Sequence, residues 1–440
     1  MLTQQVSGLA YTHELVAAIS AAIRSGELQP GDPVPSVREL AAASGLSPGS
    51  VQRAMTELTS RGLVVSAQGR RRTVAPRPLV ALPLKPRVPA GLIDVATVDP
   101  DPELLPDLGG MLDRSLYSAN LYDARQLCAE LEGAVRPSLL ADGVEGQLTA
   151  TNGALDALQR VLEARLSPGD AVIVEDPSWP AQRGVLQAGR FEAVPVPIDH
   201  AGFLPDALED ALRRRRCGAI IHTPRGQNPT GAALSASRQA ELREVLAQHP
   251  DVLVVEDDHL DRLLWHPFLS LADAGRPWAV IRSASKSIGP DLRLAVCASD
   301  DETARAVQLR QLTGPGWVSH IVQRLAARAY ETGAASGLFQ RAASSYVERR
   351  ELLLAELSRR GVHAIGPSGY TVCVPVESEA NTAIALAASG WSVQTGEGYR
   401  YSSAPFIRIC VSRLSAAQIT EAADAIASAV RPAHGGTLIR

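Results

Sequence analysis

A proline-rich stretch divides this chain and limits how its two sides can fold. The run APRPLVALPLKPRVPA, residues 75–90, contains five prolines and three basic residues. Proline removes a backbone donor and is excluded from helix interiors and central strands, so the run predicts a semi-rigid, extended spacer. We therefore predict a module over residues 1–75, a Pro-rich linker over residues 76–91 and a large domain over residues 92–435.

The first module has the pattern of three short helices followed by a hairpin. Apolar residues recur at helical spacing up to Gly26, and residues 37–44 form a second helix. Ser47 followed by Pro48 is a good start for a third helix, which runs to about Arg61. The segments LVVS and RTVA then predict two short strands. Three helices with a basic hairpin are typical of a winged-helix DNA-binding domain.

Charge supports the same interpretation of the first module. Residues 1–90 contain ten basic and five acidic residues, a net charge of +5, whereas the whole chain has a net charge of -4. A basic module on an acidic body predicts a polyanion as partner. Three arginines in one loop are more often a solvated patch than a DNA contact, so the patch alone decides nothing. The candidate DNA contacts are Arg38, Ser50, Gln52, Arg53, Gly69, Arg70, Arg71 and Arg72.

The remainder of the chain has an α/β pattern. Short β-branched runs, such as AVIV at 171–174 and VLVV at 252–255, alternate with helical stretches. This alternation predicts a mostly parallel sheet covered by helices. Residues 336–360 predict a long amphipathic helix, and the segments YTVCVPV, WSV and FIRICV after it predict a smaller C-terminal α+β domain.

Lysine is almost absent, which singles out one position. Only Lys85 and Lys286 occur among 43 basic residues. A Schiff base needs a primary amine that can lose its proton, and arginine stays protonated. Lys286 follows an apolar strand, stands between serines and precedes Arg293, whose cation suits a phosphate. The alternative is an ordinary surface lysine.

Other motifs in this domain are ordinary one by one. The run TNGAL, 151–155, opens a helix whose free N–H groups suit a phosphate. Trp179 follows a strand and is as readily a core residue as a stacking face for a ring. Asn228, in NPTG, is able to donate to a ring oxygen. Asp257, one of two adjacent carboxylates, is able to pair with a pyridine nitrogen. Arg408, inside an apolar strand, requires either a core acidic residue or a substrate carboxylate.

Composition excludes several classes of protein. Hydrophobic residues make up 45% and charged residues 20% of the chain, as in soluble globular proteins. No apolar run approaches the ~18 residues of a membrane span, and the first residues lack the features of a secretory signal. The five cysteines are scattered without a CxxC pair, which predicts reduced thiols and no metal site. We therefore expect a cytoplasmic protein without membrane contact.

The first module resembles the GntR family of winged-helix transcription regulators. The resemblance lies in the run from Ile23 to Val74, including SVRELAAASGLSPGSVQRAMTEL. It implies that Arg38, Ser50 and the wing at Gly69–Arg70 contact DNA. The sequence departs from the family pattern at Pro48–Gly49, where the recognition helix begins, and at Arg72, where the wing usually has a second glycine.

The large domain is similar to the fold-type-I aminotransferases, which use pyridoxal 5'-phosphate (PLP). The order of the Gly-turn, Trp, NPTG, Asp, SxxK, Arg and late Arg carries this resemblance over about residues 92–435. It implies that Lys286 is the Schiff-base lysine, that Asp257 pairs with the pyridinium and that Arg408 binds a carboxylate. It further implies that Trp179, Asn228 and His259 contact the ring or its oxygen, and that Tyr122 reaches the phosphate in a partner subunit. The phosphate cradle that it implies comprises Gly153, Ala154, Leu155, Ser283, Ser285 and Arg293. His259 stands where the family usually has Tyr, and Tyr122 lacks the glycine that usually follows it.

Together the two resemblances identify the chain as a member of the MocR subfamily of GntR regulators, most like its PtsJ-type branch, which regulates vitamin B6 salvage. The resemblance implies a homodimer that binds a double-stranded DNA operator and senses PLP, or a PLP–amino acid adduct with an amino acid effector. One alternative is an active PLP-dependent aminotransferase with a fused DNA-binding head. Another is a dimerisation scaffold with an idle cofactor site.

Overall fold

The chain divides into two compact units. The computed structural model describes residues 6, 9, 11–25, 27–60, 63–65, 71–75, 88–273 and 275–430. One unit comprises Met1–Leu82 with two short later segments, Leu166–Ala171 and Leu186–Glu192, and the other comprises the remainder of the chain. Most of the predicted linker, residues 76–87, lies outside the described residues.

The N-terminal part of the first unit is a winged helix. Helices α1 (Thr12–Ser25), α2 (Val37–Ser44) and α3 (Pro48–Ser60) are followed by an antiparallel pair of strands, β1 (Val64–Val65) and β2 (Thr73–Val74). The three predicted helices and the predicted hairpin strands are therefore confirmed.

Local sequence explains where α2 begins and ends. The Ser36 hydroxyl accepts from the Glu39 amide, and the Glu39 carboxylate accepts from the Ser36 amide, so two orphan donors of the first turn are satisfied. Gly45 adopts the left-handed conformation, with φ of 80°, just after the last turn. The apolar stripes of the helices then form one core, in which the largest fully buried side chains are Leu15, Ile19, Leu40, Met55 and Leu58.

An eight-stranded mixed sheet organises the second unit. Its spatial order is β4, β11, β10, β9, β8, β5, β6 and β7. The strands are β4 (Gln147–Thr151), β5 (Ala171–Asp176), β6 (Glu192–Asp199), β7 (Gly202–Phe203), β8 (Cys217–His222), β9 (Leu253–Asp258), β10 (Trp278–Ser283) and β11 (Ala295–Ser299). Strands β8, β9 and β10 run parallel, as predicted, whereas β11 is antiparallel to both of its neighbours.

Eight helices connect these strands or follow them among the described residues. They are α4 (Ala129–Ala141), α5 (Ala154–Arg165), α6 (Pro180–Gly189), α7 (Pro205–Arg214), α8 (Ala236–Ala247), α9 (Asp301–Leu312), α10 (His320–Ala335) and α11 (Leu338–Arg359). Helix α5 packs on β9, β10 and β11 through Ala157, Leu158, Val161 and Leu162. Helix α11 confirms the long helix predicted over residues 336–360.

The C-terminal part forms a small α+β region. Strands β12 (Thr371–Pro375), β14 (Gln394–Thr395) and β15 (Phe406–Cys410) form a sheet in the order β12, β15, β14, with α12 (Glu379–Ala388) and α13 (Ala416–Val430). Strand β13 (Trp391–Ser392) instead pairs with β3 (Ile93–Asp94), the strand that follows the predicted linker in sequence. No helix in the described residues is long and apolar enough to cross a membrane.

Candidate functional site

The sheet register brings the ends of several strands to one edge. Thr151, the last residue of β4, pairs with Ala295 of β11, and Ala295 pairs with Ser283, the last residue of β10. Strand β9 lies beside β10, with Asp257 opposite Ile281. The loops that follow β4, β9 and β10 therefore leave the sheet together, and these loops contain most of the predicted cofactor residues.

Gly153 and Arg293 form a cationic pocket at the start of α5. Gly153 has a φ of +96°, and a Cβ there would lie 2.8 Å from Nη2 of Arg293. A glycine is thus needed both for the backbone conformation and for the close approach of the guanidinium. Ala154 and Leu155 open α5, where backbone N–H groups have no acceptor within the helix. N–H groups and a guanidinium at one point suit a phosphate.

Lys286 lies in the loop after β10, at the same edge of the sheet as this pocket. Ser283 is buried, and its hydroxyl oxygen accepts from the Ser285 amide at 3.3 Å. The loop closes on itself through a hydrogen bond of 3.0 Å from the Ile288 amide to the Ala284 carbonyl. Lys286 Nζ donates to the main-chain carbonyl of Val98.

His259 lies close enough to Lys286 for the two charges to interact. Burial, and next to it the cationic Lys286, lower the pKa of His259 from 6.5 to about 4. The imidazole is therefore neutral at neutral pH and carries one N–H and one acceptor nitrogen. A neutral imidazole at this position is able to donate to a ring oxygen without adding charge to the site.

Asp257 is a buried carboxylate with an unused oxygen. Its side chain is 5% exposed, and its Oδ1 has no hydrogen-bond partner in the described structure. Burial, and then the charge of Asp258, raise the pKa of Asp257 to about 7, while a hydrogen bond from Gln182 acts in the opposite direction. A buried carboxyl of this kind gains stability from a cationic N–H donor.

The neighbouring Asp258 is, by contrast, fully paired. Arg225 donates to it twice, from Nε at 2.9 Å and from Nη2 at 2.8 Å, and Nε of Arg282 lies 3.2 Å from it. Burial alone would raise its pKa, but Arg225 and then Arg282 hold the pKa of Asp258 below its usual value. Of the two adjacent carboxylates, only Asp257 has an oxygen available for a ligand.

Arg408 is buried among neutral acceptors. Its side chain is 1% exposed; Nη1 donates to Asn228 Oδ1 at 3.0 Å and to the Tyr399 hydroxyl at 2.6 Å, and Nη2 donates to the Ala96 carbonyl. Nε has no partner in the described structure. A desolvated guanidinium held by neutral oxygens suits a carboxylate from a ligand. Asn228 therefore contacts Arg408 directly.

Trp179 lies beside the same group of side chains. It packs against a small apolar cluster of Cys373, Tyr399 and Phe406. The Ser178 amide also donates to the Tyr399 carbonyl at 3.0 Å. Trp179, Asn228 and Arg408 are thus joined through Tyr399, a residue that the sequence did not single out.

Tyr122 is almost fully solvent-exposed. Its side chain is 94% exposed, and its ring makes an edge contact with Trp317 at 6.1 Å between centroids. Leu112, Tyr117 and Leu121 are likewise exposed, by 60%, 69% and 72%. Four large apolar or aromatic residues are thus exposed within one short stretch, which is typical of a surface that another protein covers.

The predicted DNA contacts of the winged helix are partly described. Arg38, Gln52, Arg53 and Arg71 are exposed, whereas Gly69 and Arg70 lie outside the described residues. Ser50 is half-buried, and its hydroxyl accepts from Arg53 Nη2 at 3.1 Å.

Arg72, the residue just before β2, makes one further contact within the winged helix. Its Nη2 donates to Gln52 Oε1 of α3 at 3.4 Å. The arginine that replaces the second wing glycine thus contacts the third helix.

Three contacts in the site or next to it escaped sequence reasoning. Gln182 lies one helical turn after Trp179 and hydrogen-bonds Asp257, so that spacing was a usable signal. Tyr399 had no such signal, because its spacing of nine residues from its partner Arg408 matches no local pattern. Tyr370 had none either, because its acceptor is a main-chain carbonyl 272 residues away in the sequence.

Comparison with known protein families agrees with both resemblances. Residues 103–426 match the family model of aminotransferase class I and II, and residues 12–74 match that of bacterial regulatory proteins, gntR family. The vitamin B6 salvage pathway transcriptional repressor PtsJ of Salmonella typhimurium is 38% identical over 94% of this chain and 97% of its own length. The HTH-type transcriptional regulator TauR of Rhodobacter capsulatus is 26% identical over 95% and 96%.

Solved structures show the same fold for the large domain. The kynurenine aminotransferase of Pyrococcus horikoshii, in complex with PMP, superposes with a TM-score of 0.70 at 20% identity and covers 78% of this chain and 91% of its own. The large domain is therefore a fold-type-I aminotransferase fold.

Proposed function

The chain belongs to the family of GntR regulators that carry a class I and II aminotransferase domain, the MocR type, and on this premise we propose that it is a transcription regulator that senses PLP. The winged helix binds an operator in double-stranded DNA, and the aminotransferase-like domain binds PLP or a PLP–amino acid adduct. A regulator that binds bacterial DNA acts in the cytoplasm, so we propose a cytoplasmic location.

The residues at the sheet edge fit PLP. When bound, PLP supplies an aldehyde that condenses with a primary amine and a pyridinium ring that withdraws electrons. Asp257 holds the ring nitrogen through its unpartnered Oδ1 and keeps it protonated. Trp179 stacks on the ring, and Asn228 and the neutral His259 donate to the ring oxygen.

The opposite end of the site holds the phosphate. The amides of Gly153, Ala154 and Leu155 point out of the first turn of α5, and Arg293 lies against Gly153. Ser283 and Ser285 add hydroxyl donors at the end of β10. These groups bind a dianion and exclude a neutral head, since burying unpaired donors would be unfavourable.

Lys286 and Arg408 decide which ligand the site recognises. Lys286 is the only lysine of residues 92–435, so it is the one side chain there with a primary amine. Arg408 faces a carboxylate of an amino acid effector, because its protein partners are neutral and its Nε is unpartnered. The site thus binds a phosphorylated aldehyde together with an amino acid.

The buried, unpartnered Oδ1 of Asp257 is the strongest support for this proposal. A fully paired carboxylate would serve the fold alone, whereas a buried carboxylate with an unused oxygen needs a cationic partner. Its presence in the same chain as a winged helix supports sensing.

The test is a titration of the purified protein with PLP, followed by absorbance and by operator binding. We expect a new absorbance band, a covalent adduct after borohydride reduction that maps to Lys286, and a change in operator affinity. Lys286→Ala abolishes all three. A reduced adduct on another residue, or an unchanged PLP response in Lys286→Ala, contradicts the proposal.

An active aminotransferase with a DNA-binding head is the competing proposal. Arg408 and Lys286 would permit that chemistry, but both full-length relatives described above are transcription regulators. Incubation of the PLP-loaded protein with common amino acids distinguishes the two. Formation of pyridoxamine phosphate in stoichiometric amounts would favour the enzyme, and its absence with every amino acid would exclude it.

We also propose that the protein acts as a homodimer. The exposed Leu112, Tyr117, Leu121 and Tyr122 supply the apolar surface, and the partner's copy of that surface is its occupant. In such a dimer Tyr122 reaches the phosphate site of the partner subunit.

A further inference from the structure

The segment that connects the linker to the large domain contacts two cationic side chains of the ligand site. We call residues 95–101 the strap. Strand β3, which precedes it, pairs with β13, and the Val95 amide donates to the Ser392 carbonyl at 3.0 Å. Residues 76–91, the predicted linker, lead from the winged helix into this segment.

Both ends of the strap are fixed to the small α+β region and its neighbours. At the first end, the Cys410 amide donates to the Val95 carbonyl at 2.9 Å. At the second, the Ser412 hydroxyl donates to the Asp99 carbonyl at 2.6 Å, and Arg349 forms an ion pair of 2.8 Å with Asp101. The strap is therefore an ordered part of the domain.

The middle of the strap contacts the two cations of the site. The Ala96 carbonyl accepts from Arg408 Nη2, and the Val98 carbonyl accepts from Lys286 Nζ. Two carbonyls that stand two residues apart on one segment thus bind the predicted carboxylate-binding arginine and the predicted Schiff-base lysine.

Ligand binding changes the hydrogen bonds that Lys286 and Arg408 make. A lysine ammonium that condensed with an aldehyde would form a C=N bond in place of the C=O bond, and two of its three hydrogens would leave with the aldehyde oxygen as water. Its hydrogen bond to Val98 would then be weakened or broken. An arginine that binds a carboxylate in a bidentate manner redirects its N–H groups, so its hydrogen bond to Ala96 competes with the ligand. Each event removes a restraint from the same short segment.

We propose that the strap couples the ligand site to the linker, with Tyr370 as the residue that positions it. The Tyr370 hydroxyl donates to the Val98 carbonyl at 3.3 Å, so it holds this carbonyl whether or not Lys286 does. Asp94 and Thr97 hold the preceding turn, since the Asp94 carboxylate accepts from the amides of Ala96 and Thr97 at 2.9 and 3.0 Å and also from the Thr97 hydroxyl, the contact that Thr97→Ala removes. The inference rests on the proposed PLP-sensing function and names its route.

The test measures the PLP response of operator binding in variants of the strap's supports. The variants are Tyr370→Phe and Thr97→Ala, and the control is Tyr401→Phe, whose hydroxyl has no hydrogen-bond partner in the described structure. For each full-length protein we measure the Kd for PLP by absorbance and the ratio of operator Kd with and without PLP. We expect the Kd for PLP to change less than about threefold and the operator ratio to fall by roughly threefold or more in both variants, as a loss of coupling requires.

Hydrogen exchange supplies an independent readout. PLP is expected to speed exchange of the amides of residues 95–98 in the wild type and not in Lys286→Ala. Unchanged exchange there, or operator ratios in Tyr370→Phe and Thr97→Ala equal to those of Tyr401→Phe, overturns the strap's role. If the wild type shows no PLP response at all, the proposed function itself fails, and that outcome is distinct from a wild-type response that the strap variants retain.

Discussion

Two adjacent carboxylates show how burial without a partner differs from burial with one. Asp257 and Asp258 are both buried at the end of β9, but the pKa of Asp257 is raised to about 7 and that of Asp258 is lowered. Successive side chains of a strand point to opposite faces, so neighbours in sequence have different surroundings. Asp258 meets Arg225 and Arg282, and Asp257 meets the ligand site.

This difference predicts opposite effects of two isosteric substitutions on the cofactor-free protein. Folding raises the pKa of Asp257 from 3.8 to about 7, so the folded protein loses stability as the pH rises between these two values. Asp257→Asn removes that loss, so we expect it to stabilise the protein at pH 8 by up to about 4 kcal/mol, at ~1.4 kcal/mol per pKa unit, and by much less at pH 4.5.

Asp258→Asn is the matched control. It leaves the buried Arg225 and Arg282 with a missing charge partner, and we expect it to destabilise the protein by about 3–5 kcal/mol. Thermal unfolding of both variants at the two pH values checks the pair. A loss of stability in Asp257→Asn at pH 8 would show that this carboxylate has a structural partner.

At the scale of elements, α3 of the winged helix is predicted to contact DNA through Ser50, Gln52 and Arg53. Arg53 lies on its exposed face with its guanidinium against Ser50. We expect Arg53→Ala to weaken operator binding and to reduce the slope of log K against log salt by about 1, because each phosphate contact that forms displaces about one counterion from the DNA. Fluorescence anisotropy over a range of NaCl concentrations measures this slope.

Arg213→Ala serves as the control for that experiment, since Arg213 is an exposed arginine of α7 that pairs with Glu209. It should leave the slope unchanged. A similar fall in both variants would mean that overall charge, and not the α3 contact, determines the salt dependence.

A second element-scale prediction concerns the loop before β15. The Asp176 carboxylate, at the end of β5, accepts five hydrogen bonds from the amides of Tyr401, Ser402 and Ser403 and from the hydroxyls of the two serines, at 2.7 to 3.1 Å. Asp176→Asn replaces one acceptor oxygen with a donor that faces other donors. We expect a loss of about 1.5–3 kcal/mol and faster hydrogen exchange at residues 401–403.

The comparison variant for this loop is Asp424→Asn, because Asp424 is an exposed carboxylate with a single arginine partner, Arg360. It should cost much less stability than Asp176→Asn, because water screens an exposed ion pair. Thermal unfolding measures both variants. Equal, small losses would indicate that the loop is held mainly by its apolar cluster.

At the scale of the whole molecule, the exposed apolar stretch predicts self-association. Leu112 and Leu121 are 60% and 72% exposed. We expect the wild type to sediment as a dimer and the double variant Leu112→Glu, Leu121→Glu to sediment as a monomer, because buried carboxylates without partners strongly disfavour the interface.

Ile384→Glu is the matched control, since Ile384 is 69% exposed on α12 and lies outside that stretch. It should leave the dimer intact. Analytical ultracentrifugation at several protein concentrations decides the outcome. A monomeric wild type would contradict the proposed homodimer, and a dimeric double variant would place the interface elsewhere.

Sequence alone was sufficient for the order of the modules and for most elements. Helical spacing, the Ser47–Pro48 start and Gly26 gave the helices of the winged helix, and β-branched runs gave the central strands, because these signals are local. The scarcity of lysine indicated Lys286, since the chemistry of a primary amine has no substitute in arginine. The family resemblances were also carried by short, ordered motifs.

The tertiary structure decided what each side chain meets. The partner of Asp258 is 33 residues away, and the acceptor of Lys286 is a main-chain carbonyl 188 residues away, so no local pattern signals either contact. The difference between Asp257 and Asp258, the neutral surroundings of Arg408 and the path of the strap all arise from packing between distant segments. Residue type sets which chemistry is possible, and only the folded environment sets which of two like groups is desolvated, paired or left for a ligand.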